Sequence, residues 1–203
     1  MNKLNKSVWP GYAGCLLAMM YAVVVRFYQV AGGAIGLPGR LADTEGFQMA
    51  SYLAGVAVML AGFFMLGLVK PWGKTVPAWV PVMGGRNVHP LFLLIPSLIG
   101  GAFVIAHGVS GVTTKILHLA GVITIHFPGW IELDVQGLIL WDLFFYEPWF
   151  IVMGMMSSLA AWNYAQDSSI LRPFLRRCVI LYIFLVLLVT SLFVSAIIFD
   201  FLK

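Results

Sequence analysis

Two carboxylates, Asp142 and Glu147, stand five residues apart in the run Trp141-Asp142-Leu143-Phe144-Phe145-Tyr146-Glu147-Pro148-Trp149, surrounded by aromatic side chains and flanked by apolar sequence. Ionisable groups in such surroundings are costly to bury and mark a candidate functional site whose partner has to be found. Carboxylates there can act as general acid or base, relay protons, or hold a cationic or sugar-like ligand beside an aromatic face. The first candidate partner is Arg26, which interrupts an otherwise apolar run, with Tyr28 and Gln29 beside it. An unpaired charge at this depth costs several kcal/mol, roughly, so Arg26 is expected to pair with Glu147 or Asp142. His107, Tyr146 and Trp149 complete the set: Glu147 and Asp142 as candidate catalytic groups, and Arg26, Tyr28, Gln29, His107, Tyr146 and Trp149 as candidate ligand-binding groups.

What must position these residues is a membrane bundle. The chain has 203 residues, 61% hydrophobic and 10% charged, with a mean hydropathy of +0.95, whereas soluble domains carry roughly 25% charged residues. The composition excludes a soluble domain and predicts an all-α polytopic bundle. Five spans are expected, at about 9–33, 48–69, 90–111, 148–164 and 178–199, in one integral membrane domain. The run after Lys3 and Lys6 has the outline of a signal peptide and is expected to remain as the first span. Gly32-Gly33 and Gly36-Leu37-Pro38-Gly39 should end it. The segment 112–146 is broken by Lys115, His118, His126, Pro128-Gly129, Glu132 and Asp134, so it is expected to lie outside as an amphipathic or re-entrant piece. Glu147-Pro148 looks like the start of the fourth helix, since proline favours the first helical position. The fifth span, uninterrupted Leu, Val, Ile and Phe, is expected to face lipid.

Orientation follows from the basic residues. With the N-terminus cytoplasmic, the inner set is Lys3, Lys6, Lys70, Lys74, Arg86, Arg172, Arg176 and Arg177, against Arg40, Lys115 and Lys203 outside. That places the C-terminus outside, in a multi-pass protein of the cell membrane. It also brings Arg26, His107, Asp142 and Glu147 to the outer half of the bilayer, with His118, His126, Glu132 and Asp134 on the same face.

Other chemistries find little support. The net charge of +4 comes without a basic run or basic helix, which argues against nucleic acid. Cys15 and Cys178 match neither a zinc site nor a disulfide framework. No two histidines have His-x-x-x-His spacing, and no second span offers a histidine at the depth of His107 to hold a haem, so no metal or cofactor is expected. The ten methionines read as adaptable packing. Walker, dinucleotide and Gly-x-Ser-x-Gly motifs are absent from the sequence.

Two stretches, Arg26-Phe27-Tyr28-Gln29-Val30-Ala31-Gly32-Gly33 through Gly36-Leu37-Pro38-Gly39, and Tyr146-Glu147-Pro148-Trp149-Phe150 through Ala160-Ala161-Trp162-Asn163-Tyr164, resemble small bacterial multi-pass membrane proteins grouped as a domain of unknown function and common in Gram-positive genomes. The resemblance implies a bacterial cytoplasmic membrane and no activity. Three roles stay open. The first is binding or transport of a small molecule or ion, with proton coupling through Glu147 or Asp142. The second is a membrane-embedded enzyme acting on a lipid-linked or outer-face substrate. The third is an accessory or immunity-type subunit packed against another membrane protein. Gly55, Gly62 and Gly67 of the second span offer a homodimer surface.

Overall fold

The computed structural model describes residues 8–167 and 175–201. Lys3, Lys6, Arg172 and Lys203 of the charge count lie outside the described residues. Five helices are long and apolar enough to cross a membrane: Trp9–Val30, Thr44–Val69, Pro90–Leu119, Val135–Asp167 and Arg176–Phe199. The fold is the expected all-α bundle, and its only sheet among the described residues has two short strands.

The first and second helices approach closely along small residues, as membrane helices do when dispersion contacts rather than water drive association. Fully buried Ala18 faces Gly62, and Gly55 lies under the ring of Phe27 and the Cβ of Arg26. Gly67 is covered by Trp72 and Leu93. The glycines expected to offer a homodimer surface are therefore occupied within the chain.

Two boundaries differ from expectation. The third helix does not stop at Gly111 but continues to Leu119, and those extra turns bury Thr114 and half-bury Lys115. The fourth helix begins at Val135, where the Asp134 carboxylate accepts the Gly137 N–H at 2.9 Å and caps the exposed donors. Glu147-Pro148 is thus inside a helix, not at its start. Proline there lacks an N–H and crowds the carbonyl one turn back. The helix meets it with a wider π-helical turn over Asp142–Tyr146, directly before the proline. The segment 112–146 accordingly divides into a helix end, a connection and a helix start.

That connection carries β2, Trp130–Leu133, which pairs antiparallel with β1, Gly39–Leu41, in the link between the first two helices. Arg40 stands opposite Glu132 in the register, a pairing of opposite charges that favours the ladder. Bonds from Ala42 N to Gly129 O and from Asp134 N to Pro38 O, both 2.9 Å, extend it. The clasp ties the end of the first helix to the beginning of the fourth. The second helix starts at Thr44, capped by Asp43 onto Gly46 N at 2.9 Å.

The core lies where the first, second and fourth helices meet, around Tyr21, Val25, Met65, Tyr146, Phe150 and Met153. Two of these are methionines, used as packing. The fifth helix packs on the third and bonds to the fourth through Ser158 Oγ and Tyr182 Oη at 2.7 Å. None of its membrane-length window is buried.

Candidate functional site

The site grows from two helices packed side by side. Near its C-terminal end the third helix presents Lys115, and the fourth presents Asp142 and Glu147 on either end of its π-helical turn. Lys115 Nζ lies 2.7 Å from Glu147 Oε1 and 3.0 Å from Asp142 Oδ2, with side-chain exposures of 13%, 4% and 17% respectively. One ammonium therefore holds both carboxylates in a setting with little water to compete. Glu147 fits because residue 111 is glycine: a Cβ there would overlap the Glu147 carboxylate.

Arg26 is not their partner, contrary to expectation. It sits in a π-helical stretch of the first helix, Tyr21–Phe27, with its guanidinium 5.3 Å from the Tyr21 ring centroid and a long 3.5 Å bond from Nη1 to Gln29 Oε1. Lys115 is nearer because the third helix runs two turns farther than its polar composition implied. Among the described residues Arg26 makes no ion pair.

Gln29 is the hub that fixes the first helix here. Its Nε2 donates to Ile35 O at 3.0 Å and to Tyr146 Oη at 3.3 Å, while its Oε1 accepts from Ser51 Oγ at 3.3 Å. Tyr146 in turn donates to Ile35 O at 3.1 Å. The chain between the first helix and β1 must pass close over that hydroxyl, and it does so at Gly36, with φ +68°, where a Cβ would collide with Tyr146 Oη.

These groups surround a cavity of about 470 Å³. Its charged lining is Arg26, Lys115, Asp142 and Glu147, with His107 to one side and Tyr21, Tyr146, Phe150 and Phe193 as aromatic wall. His107 packs edge-on to Phe150, ring centroids 5.0 Å apart. Trp130 of β2 and Leu37 bring the clasp to the same cavity. Three buried polar atoms around it have no hydrogen-bond partner: Arg26 Nε, Tyr21 Oη and Glu147 Oε2. Buried polar atoms are nearly always satisfied, and among the described residues three of the four exceptions border this cavity, the fourth being Ser97 Oγ elsewhere in the bundle.

The structure thus brings together six of the eight candidate residues: Arg26, Gln29, His107, Asp142, Tyr146 and Glu147. Tyr28 is not among the lining residues; it is 53% exposed, with its ring over Gly33. Trp149 lies behind the wall, donating from Nε1 to Leu17 O at 3.3 Å and resting against Tyr21 and Phe145. Among the lining residues that sequence reasoning missed are Lys115, which pairs with both acids, and Tyr21. Two of the polar residues where the third helix leads into the fourth are used locally. His118 Nδ1 accepts Ile125 N at 3.1 Å, and Asp134 is a helix cap. Among the described residues no three His, Cys, Asp or Glu side chains come close enough to hold a metal ion. No protein-family model, curated protein or solved structure matches the chain, so what it does has to be read from its own geometry.

Proposed function

We propose that the chain is a bacterial cell-membrane protein that binds, and in a second step moves, a small polar molecule through the cavity between its first, third, fourth and fifth helices. The observation that carries this reading is the concentration of unsatisfied polar atoms at one cavity: a buried guanidinium nitrogen, a phenol and a carboxylate oxygen, each costing about 1–3 kcal/mol without a partner. A purely structural charge cluster would be expected to satisfy its members within the protein. Aromatic walls and a few convergent charges are the usual make-up of small-ligand sites. In this reading Asp142 and Glu147 serve as counter-charges. Catalysis by either as general acid or base is the weaker alternative, because Lys115 already engages both.

The basic residues favour a cytoplasmic N-terminus, and the cavity then opens in the outer half of the bilayer. The test is thermal unfolding of the purified full chain in detergent against a panel of amino acids, organic anions, amines, sugars and metal salts. At least one class should raise the melting temperature of the wild type, and Glu147→Gln and Arg26→Met should remove the shift. If no class stabilises the wild type, the cluster is a structural pin and the binding reading is wrong.

A further inference from the structure

We infer that the ligand is a small zwitterion of the free amino-acid type, its carboxylate on Arg26 and its ammonium on Asp142 at the edge of the Lys115 group. The inference rests on the reading of the cavity as a binding site and gives it a chemical class.

Charge balance leads to it. Asp142 and Glu147 share a single ammonium, so the Lys115 group carries one negative charge in excess. Arg26 carries one positive charge with neither carboxylate as its partner. The cavity is neutral as a whole but divided into a positive and a negative end. A simple anion would answer Arg26 and leave the negative end in excess, and a simple cation would do the reverse. Net charge brought out of water is expensive. A ligand that is neutral overall and charged at both ends answers both demands.

The remaining polar groups argue for charge rather than hydroxyl recognition. A sugar needs several neutral donors and acceptors, and of those lining the cavity Gln29, Tyr146 and Ser110 are already engaged, which leaves the single hydroxyl of Tyr21. Gln29 uses both ends of its amide, Tyr146 donates to Ile35 O, and Ser110 Oγ donates to His107 O at 2.9 Å. The charged groups that stay available are the guanidinium fork, which suits a carboxylate in bidentate contact, the second oxygen of Asp142, since Lys115 is paired with Oδ2, and Glu147 Oε2. The aromatic wall of Tyr21, Phe150 and Phe193 can take an apolar side chain or the face of an ammonium.

The experiment is calorimetric titration of the purified full chain in detergent with glycine, L-leucine and L-phenylalanine. Acetate and methylammonium serve as half-ligands, glycine betaine probes the need for ammonium N–H groups, and glucose is the neutral comparison. At least one amino acid should bind, with each half-ligand at least tenfold weaker. Arg26→Met should weaken the amino acid at least tenfold and leave methylammonium unchanged, Arg26→Lys should restore part of the loss, and Asp142→Asn should weaken methylammonium while sparing acetate. Circular dichroism of each variant establishes that it is folded before it is titrated. Acetate binding as tightly as the amino acid would overturn the inference in favour of an anion site. Binding of glucose or another neutral compound with no amino acid bound would overturn the class while leaving the binding reading in place. Silence from every class in the wider panel would remove both.

Discussion

Lys115 is the residue whose removal tests the site most directly. At 2.7 and 3.0 Å from Glu147 and Asp142, each attraction amounts to about 6 kcal/mol at an effective dielectric of roughly 20, much of which is offset by desolvation of the three groups. Lys115→Met should destabilise the protein by about 3–5 kcal/mol, the range for stranding a buried charge. Glu147→Gln alone should cost less, about 1–2 kcal/mol, because the amide oxygen still accepts from Lys115 and Asp142 still balances it. The double variant removes the stranded carboxylate together with its partner. Asp142, the more exposed of the two acids, can then be hydrated from the cavity. The double variant should therefore lose no more than Lys115→Met alone, giving a coupling energy at least as large as the Glu147→Gln loss, about 1–2 kcal/mol. Reversible unfolding by a denaturing detergent in mixed micelles, followed by near-ultraviolet circular dichroism, measures all three variants. If the single losses add to within about 0.5 kcal/mol, the contacts carry no energy and the argument for a coupled charge group fails.

Other outcomes follow from the same geometry. Gly111→Ala should destabilise by about 1–3 kcal/mol, read in the same unfolding assay, because its Cβ meets a carboxylate that cannot retreat without leaving Lys115. Gly36→Ala combines a left-handed backbone with a Cβ on the Tyr146 hydroxyl and should cost about 1–2 kcal/mol from the backbone alone. Adding Tyr146→Phe relieves the overlap and should recover part of the loss. Ser51→Ala deletes one hydrogen bond to Gln29 and should cost about 0.5–1.5 kcal/mol in the same assay. In a Cys15→Ser, Cys178→Ser background, Ser110→Cys should react with a membrane-impermeant maleimide added to the outside of cells. Val109→Cys, on a face that does not line the cavity, should not, and labelling of both or neither would contradict an outward-opening cavity.

The bundle was legible because membrane spans announce themselves by length and apolarity, and the grouping of Arg26, His107, Asp142 and Glu147 followed from the ends of the spans and the 112–146 segment that the expected topology brings to one level. The partner assignment was not legible. Lys115, His118 and the polar residues after them look like the end of membrane-compatible sequence, yet the helix carries on because Lys115 is neutralised by the next helix and Thr114 bonds back to Ser110 O at 2.9 Å. Composition counts charges one segment at a time and cannot see a pair that spans two. Pro148 misled for a related reason: its helix-start signal is local, whereas the π-helical turn that accommodates it depends on the surrounding core. A better signal lay at Asp134, a capping residue ahead of Val135-Gln136-Gly137, and Asp43 ahead of Thr44 marks the second helix in the same way.

The placement of Lys115 on the helix immediately before the one bearing Asp142 and Glu147 also bears on how the chain enters the membrane. A carboxylate at the centre of an inserting helix is disfavoured by about 2.5–3.5 kcal/mol on insertion scales, and the fourth helix brings two. Its counter-charge has already been synthesised when it emerges, at the near end of the preceding helix, so the third and fourth helices can partition as one hairpin whose polar groups neutralise each other on the way. Arg26 has no such neighbour in the second helix, whose one acid, Glu45, stands in its first turn and makes no ion pair with Arg26 among the described residues. Within its own helix the Arg26 guanidinium has only the face of Tyr21 to rest on, and the acids that line the cavity with it come from the fourth helix.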